Sequence, residues 1–269
     1  MSLSITPGTN NVGAYINSVD LKNLDQNQTI ELKKTLNEFG VIFIKKQNLD
    51  PESYQNFAKN IGQPVVYPRL KGLDEKFPFI NVIERKPSDK NLSFGSSWLH
   101  QNTSYLANDR PRYTMLMGIE IPDGQGNTIF SSGFNAYEKL PNEIKDKIKD
   151  ATGIFSSAGP ISVTRLEREK EMGIKSSESM EAEHPIVKTV SGKKTLYVSP
   201  GHLMKIKNVK EEDANYLKNY LIEHVNKKEF IFSYEWSKGD ICLWDNLSIL
   251  HMASEIKNCK RIMHRITIK

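Results

Sequence analysis

The last third of the chain breaks into short apolar runs at 195–198, 230–236, 241–244 and 262–268, separated by polar and turn-forming residues. Runs of this length, rich in β-branched and aromatic side chains, read as strands because such side chains pack well on a pleated, half-buried surface. Residues 41–44, 79–83 and 113–121 have the same character. Helical signals are fewer. Asp25 caps a helix in which Ile30, Leu32, Leu36 and Phe39 recur at helical spacing before Gly40 stops it. Asp50-Pro51 opens a second helix, which runs through Tyr54, Phe57 and Ala58 to Gly62. Two more are expected over 136–148 and 211–225. Short strands with a few helices outside them give a mainly β fold with flanking helices, a barrel or a sandwich.

No internal repeat and no sharp change of composition divides the 269 residues, so a single domain over 1–269 is expected. Residues 159–183, rich in Glu, Lys, Arg and Ser, are expected to form a polar insertion, either a lid over a site or a solvated loop. Apolar residues at 38% and charged residues at 26% are ordinary for a globular chain with a sizeable core. The 37 basic and 32 acidic residues leave +5 without any Lys/Arg block. That balance suits small anions and argues against a nucleic-acid partner. Cys242 and Cys259 show no CxxC spacing and no disulfide framework, which fits a reducing cytoplasm. The N-terminus reads as neither signal nor anchor, and no apolar run is long enough to span a membrane. The chain is compatible with a homo-oligomer.

Against this β framework stands a dispersed polar set: His100-Gln101-Asn102, then Trp244-Asp245-Asn246 leading to His251, then Arg261-Ile262-Met263-His264-Arg265. In an extended segment, side chains two apart share a face, so His100 and Asn102 can approach one ion together. His251, following a strand and a turn, arrives from elsewhere in the barrel. Two histidines and a carboxylate on one side of a metal, with three positions left open, form the facial triad of non-haem Fe(II) oxygenases. Asn102 stands where the carboxylate belongs. The alternation also places Arg261, Met263 and Arg265 on one face, with Ile262, His264 and Ile266 on the other. Two arginines turned into a barrel need anionic partners, because a buried unpaired charge is costly. Of the other histidines, His184 and His224 read as surface or capping residues and His264 as a packed strand residue. Trp244 reads as core, and Asp245 with Asn246 as the turn that delivers His251.

Alone, an H-x-N pattern with a distant His is weak, and the surrounding words carry the weight. Phe94-Gly95-Ser96-Ser97-Trp98-Leu99-His100-Gln101-Asn102-Thr103-Ser104-Tyr105, Gly126-Asn127-Thr128-Ile129-Phe130, Gly239 to Asn246 and Arg261 to Thr267 together resemble the TauD/TfdA family of Fe(II)/2-oxoglutarate oxygenases. His184-Pro185-Ile186-Val187 and Leu196 to Gly201 resemble the family's intermediate segments. The likeness runs in order from about Gly40 to Ile268. It implies a double-stranded β-helix, or jelly roll, with iron at one end, and cofactors Fe(II), 2-oxoglutarate and O2.

Carried onto this sequence, the resemblance makes His100, Asn102 and His251 the metal ligands. Thr128 and Arg261 take the distal carboxylate of 2-oxoglutarate, and Arg265 takes the acidic end of the substrate. It also points to His202, Tyr67 and Phe155 as substrate-pocket residues. The implied activity is hydroxylation of a small anionic molecule (a sulfonate, phosphonate or carboxylate) with release of succinate and CO2. The alternative is a non-catalytic or metal-impaired ligand-binding relative, with Asn102 a natural or an engineered replacement. The chain departs from the family in three places: Asn102 replaces an acid, Asn127 replaces an Asp, and Leu99 is an extra residue before the His. A carboxamide oxygen can ligate a metal but brings no negative charge.

Overall fold

The computed structural model describes residues 2–67, 70–90, 93, 95–108, 110–163, 166, 170 and 178–269. The first half of the sheet framework comprises β1 (Ser4–Pro7), β2 (Ala14–Asn17), β3 (Val41–Ile44), β4 (Pro64–Val65), β5 (Asn81–Arg85), β6 (Tyr113–Glu120), β7 (Thr128–Ser132) and β8 (Thr152–Ser156). The second half comprises β9 (Glu181–Pro185), β10 (Val187–Val190), β11 (Lys193–Leu196), β12 (Leu203–Lys207), β13 (Ile231–Tyr234), β14 (Ile241–Asp245), β15 (Ile249–Ala253) and β16 (Arg261–Ile268). The large sheet runs β1-β2-β3-β14-β6-β16-β4, with β5 also on β16, and among the described residues its β2–β3 pair alone is parallel. Smaller sheets run β13-β7-β15 and β12-β8-β9, with a β10–β11 hairpin, and Phe130 of β7 and Tyr234 of β13 pack against the large sheet.

Strand alternation divides the core. From β14, Ile241 and Leu243 turn outward, joined by Ile42, Ile44, Met115, Met117, Ile266 and Ile268 of neighbouring strands. They are covered by Leu32 and Leu36 of α1 (Gln26–Phe39) and by Tyr54, Phe57 and Ala58 of α2 (Pro51–Ile61). Cys242 and Trp244 turn inward, where Phe43, Phe130, Tyr234, Trp236 and Met263 fill the space between the sheets. A third cluster packs the helix Glu211–Val225, through Leu217, Leu221 and Val225, against Phe155, Tyr197 and Leu203.

Local chemistry sets the helix ends. Asp25 Oδ1 accepts from Gln28 N at 2.8 Å while Asp25 N donates to Gln28 Oε1 at 3.1 Å, a reciprocal capping box. Gly40 closes α1 at φ 76°, a conformation in which a side chain is strained, and an added Cβ there would lie 2.8 Å from Ile249. Asp50 caps α2, with Pro51 in the first turn.

The helix expected over 136–148 is two helices, α3 (Gly133–Glu138) and α4 (Asn142–Ile148). Pro141 separates them, since its ring and missing N–H cannot continue a helix. The strand expected over 230–236 is narrower, preceded by a 3-10 turn at Lys228–Phe230. Much of the polar stretch 159–183 lies outside the described residues.

Candidate active site

The site is built where a loop edge meets β15. His100 N donates to His251 O at 3.0 Å and His251 N donates to His100 O at 2.9 Å, an antiparallel bridge between two single residues. It places the imidazole centroids 4.3 Å apart. Upstream, Ala253 N donates to Gly95 O at 3.0 Å, which fixes the same loop along the strand. Beyond His100 the chain leaves the extended form: Thr103 takes φ 52°, and Asn102 enters a turn that still aims it into the cavity.

Burial keeps both histidines neutral. The His100 imidazole is pushed down to about 4, chiefly by desolvation, and His251 falls well below its usual range, again mainly by burial and then by the neighbouring His100. Neutral imidazole is the form that binds metals. His100 Nδ1 donates to the Trp98 carbonyl at 3.0 Å, leaving Nε2 as the free lone pair. His251 packs under Trp244 at 4.6 Å between ring centroids, and its Nδ1 is buried without a partner among the described residues. The carboxamide of Asn102 donates through Nδ2 to Thr114 Oγ1 at 2.7 Å and to Asn246 Oδ1 at 3.2 Å. Its Oδ1 accepts no hydrogen bond among the described residues.

The cavity, about 480 Å³ counted to its open mouth, is lined by these three side chains together with Thr128, Arg261 and Arg265. Among the described residues no acidic side chain lines it. Arg261 and Arg265 are buried on β16, two residues either side of Met263. Arg261 Nε and Nη2 and Arg265 Nη2 have no hydrogen-bond partner among the described residues. Desolvation, partly opposed by Cys242, lowers the Arg261 guanidinium to about 10, so it stays charged at neutral pH. Gly126, at φ 76°, lets the backbone pass the Arg261 side chain so closely that an added Cβ would lie 2.9 Å from its Cδ. Thr128 Oγ1 accepts from Trp236 Nε1 at 3.0 Å. Arg265 lies over the Tyr67 ring, 4.6 Å from its centroid.

A metal and an anionic cosubstrate fit this donor set: two neutral imidazoles, one free amide oxygen and orphaned guanidinium N–H groups around one cavity. Among the described residues no three His, Cys, Asp or Glu side chains form a metal cluster.

The remaining expected residues divide. His202 sits edge-on to His100, with ring centroids 5.8 Å apart, and its Nδ1 lies 2.9 Å from Ser104 Oγ and 3.0 Å from Ser199 Oγ. Tyr67 reaches the site by stacking on Arg265. Phe155, expected in the pocket, is instead core: it is fully buried between His184 and Tyr197, away from the cavity lining. His184 and His224 are corrected too. His184 is buried with Nε2 on the Leu106 carbonyl at 3.0 Å, and His224 is buried with Nε2 on the Ala136 carbonyl at 2.8 Å. Trp244 is both core and cavity wall. Thr114 went unread in the sequence because nothing in its spacing marks it, and Asn246 does more than shape a turn.

The family model of the taurine catabolism dioxygenase TauD, TfdA family matches residues 4–267. The chain belongs to this family. An alkylsulfatase of Acinetobacter baylyi is 29% identical over 97% of this chain and 83% of its own length. An alpha-ketoglutarate-dependent sulfate ester dioxygenase of Pseudomonas putida is 27% identical over 100% of this chain and 90% of its own. A solved structure described as a putative alpha-ketoglutarate-dependent taurine dioxygenase from Burkholderia xenovorans superposes with a TM-score of 0.82 at 26% identity, covering 99% of this chain and 89% of that one. This TauD/TfdA protein is thus a jelly-roll, 2-oxoglutarate-dependent non-haem iron dioxygenase that draws on Fe(II), 2-oxoglutarate and O2. Among the described residues no helix is long and apolar enough to cross a membrane.

Proposed function

We propose that His100, Asn102 and His251 hold Fe(II), that Arg261 and Thr128 receive the distal carboxylate of 2-oxoglutarate, and that Arg265 receives the anionic head of the substrate. The observation that carries this reading is that, among the described residues, two buried arginines have orphaned N–H groups in a cavity that no acid lines. Unpaired buried guanidinium is expensive, and a bidentate anion is the partner its fork fits. With 2-oxoglutarate and O2, the bound iron supplies the oxidising power that places one oxygen in a substrate C–H bond while the cosubstrate becomes succinate and CO2.

The chain's own residues supply binding and orientation. Arg261 fixes one end of the cosubstrate, with Thr128 held ready by Trp236. Arg265, packed over the Tyr67 ring, sets the distance from the anionic head to the carbon attacked. Trp244, Met263 and Leu116 wall the cavity with apolar surface that excludes water. The two relatives named for sulfate esters support a sulfate, sulfonate or similar oxyanion as the head group. The test is anaerobic addition of Fe(II) and 2-oxoglutarate to metal-free protein, read as the weak visible band of an Fe(II)–2-oxo acid chelate. O2 and a panel of alkyl sulfates, sulfonates, phosphonates and carboxylates follow. Succinate released in step with one substrate class is expected; no chelate band at millimolar Fe(II) refutes the reading.

A further inference from the structure

Asn102 belongs to a hydrogen-bonded group in which every proton is used. The Pro111 carbonyl can only accept, and it takes a proton from Asn246 Nδ2 at 3.1 Å. That orients the Asn246 amide. Its second Nδ2 proton goes to Thr114 Oγ1 at 3.0 Å, and its Oδ1 faces Thr114 and Asn102. The Thr114 hydroxyl has one proton and two lone pairs. It gives the proton to Asn246 Oδ1 at 3.2 Å, and its lone pairs accept from Asn246 Nδ2 and from Asn102 Nδ2 at 2.7 Å. The second proton of Asn102 Nδ2 completes Asn246 Oδ1 at 3.2 Å. Both Thr114 and Asn246 are buried, so water does not make up a shortfall.

A carboxylate at position 102 brings no proton to this group. Two hydrogen bonds vanish, and an oxygen meets Asn246 Oδ1 across a contact that now has no donor. Turning the Asn246 amide over only moves the clash to the Pro111 carbonyl. The surroundings are therefore matched to a carboxamide, whose Nδ2 they hold while the side chain lines the cavity.

Such a ligand set carries no charge. With His100, His251 and Asn102 all neutral, a divalent cation arriving alone meets two buried guanidinium groups and, among the described residues, no acid in the cavity lining. A 2-oxo dicarboxylate brings two negative charges against the three positive charges of the cation and Arg261, leaving far less net charge in the cavity than the cation alone does. We propose that Asn102 is the site's built-in neutral ligand, its Nδ2 held by Thr114 and Asn246 so that Oδ1 faces the metal, and that the protein takes up its divalent metal only jointly with the dianionic 2-oxo acid. This inference rests on the reading of His100, Asn102 and His251 as metal ligands. Coupling of two ligands is reciprocal, so the 2-oxo acid also binds poorly without metal.

The experiment titrates metal-free protein with Mn(II), following the free-ion electron paramagnetic resonance signal with and without saturating 2-oxoglutarate. At least about tenfold tighter Mn(II) binding in the presence of 2-oxoglutarate is expected, within the range typical of coupled sites. Asn102→Ala should weaken Mn(II) binding about tenfold or more with 2-oxoglutarate present. Asn102→Asp should melt several degrees below the parent when both are metal-free, and its Mn(II) affinity should depend much less on 2-oxoglutarate. Mn(II) bound equally tightly without 2-oxoglutarate overturns the coupling while leaving the iron-oxygenase reading standing. A metal-free Asn102→Asp variant as stable as the parent overturns the amide-matched network. No Mn(II) uptake under either condition overturns the inference and the proposed function together.

Discussion

Single residues at this site are held by partners that the spacing of motifs does not reveal. His100, His251, Arg261 and Arg265 were legible because alternation and a family-like order mark them, and the structure gathers them at one cavity. Phe155, His184 and His224 were misread because a lone aromatic or imidazole looks the same in sequence whether a sheet later covers it or not. Two substitutions separate these classes. Arg261→Ala should cost about 2–5 kcal/mol of 2-oxoglutarate binding, as truncation of a desolvated charged contact does. A 2-oxoglutarate titration by calorimetry in the presence of Mn(II) reads it, and an unchanged Kd would sink the assignment. Phe155→Ala should instead cost about 3–5 kcal/mol of stability, the usual effect of emptying a core aromatic position, while the KM for 2-oxoglutarate stays within twofold; a raised KM at unchanged stability returns Phe155 to the pocket.

At the level of elements, strands with a strong apolar run were readable and strands without one were not. β14 and β16 carry apolar residues on both or alternate faces, whereas β9 shows Glu-Ala-Glu-His-Pro, with only Ala182 and His184 turned inward. Its apolar signal is nearly silent. β4 is two residues long, too short for any period to register. The same scale explains how precisely β16 is placed against the loop before β7. Gly126 approaches the Arg261 side chain at a φ that favours glycine, so Gly126→Ala combines backbone strain with a clash against Cδ. The expected outcome is a protein that folds, with a 2-oxoglutarate KM raised several-fold and little change in the KM of the prime substrate at Arg265. Equal rises in both would show that the loop moves the whole strand rather than one guanidinium.

The whole molecule carries an acid sensitivity that follows from its buried imidazoles. His100 and His184 are both lowered to about 4, each mainly by burial, against an ordinary 6.5, and His224 and His264 are lowered by burial as well. Between pH 6.5 and about 4 the unfolded chain therefore binds protons that the native state refuses. Stability rises with pH wherever the unfolded state holds more protons, so it is intact above that window and falls through it on acidification. Urea midpoints of metal-free protein at pH 7.5 and pH 5 should differ clearly, the acid one lower; coincident midpoints refute the assignment. The paired backbone of His100 and His251 adds a kinetic consequence. Each amide proton is locked to the other residue's carbonyl, so neither can trade for deuterium until the loop edge lifts off β15 and releases both. The two amides should exchange at one common rate, slow in metal-free and metal-loaded protein alike, and that shared rate is a direct clock for the opening of the jelly roll at its mouth.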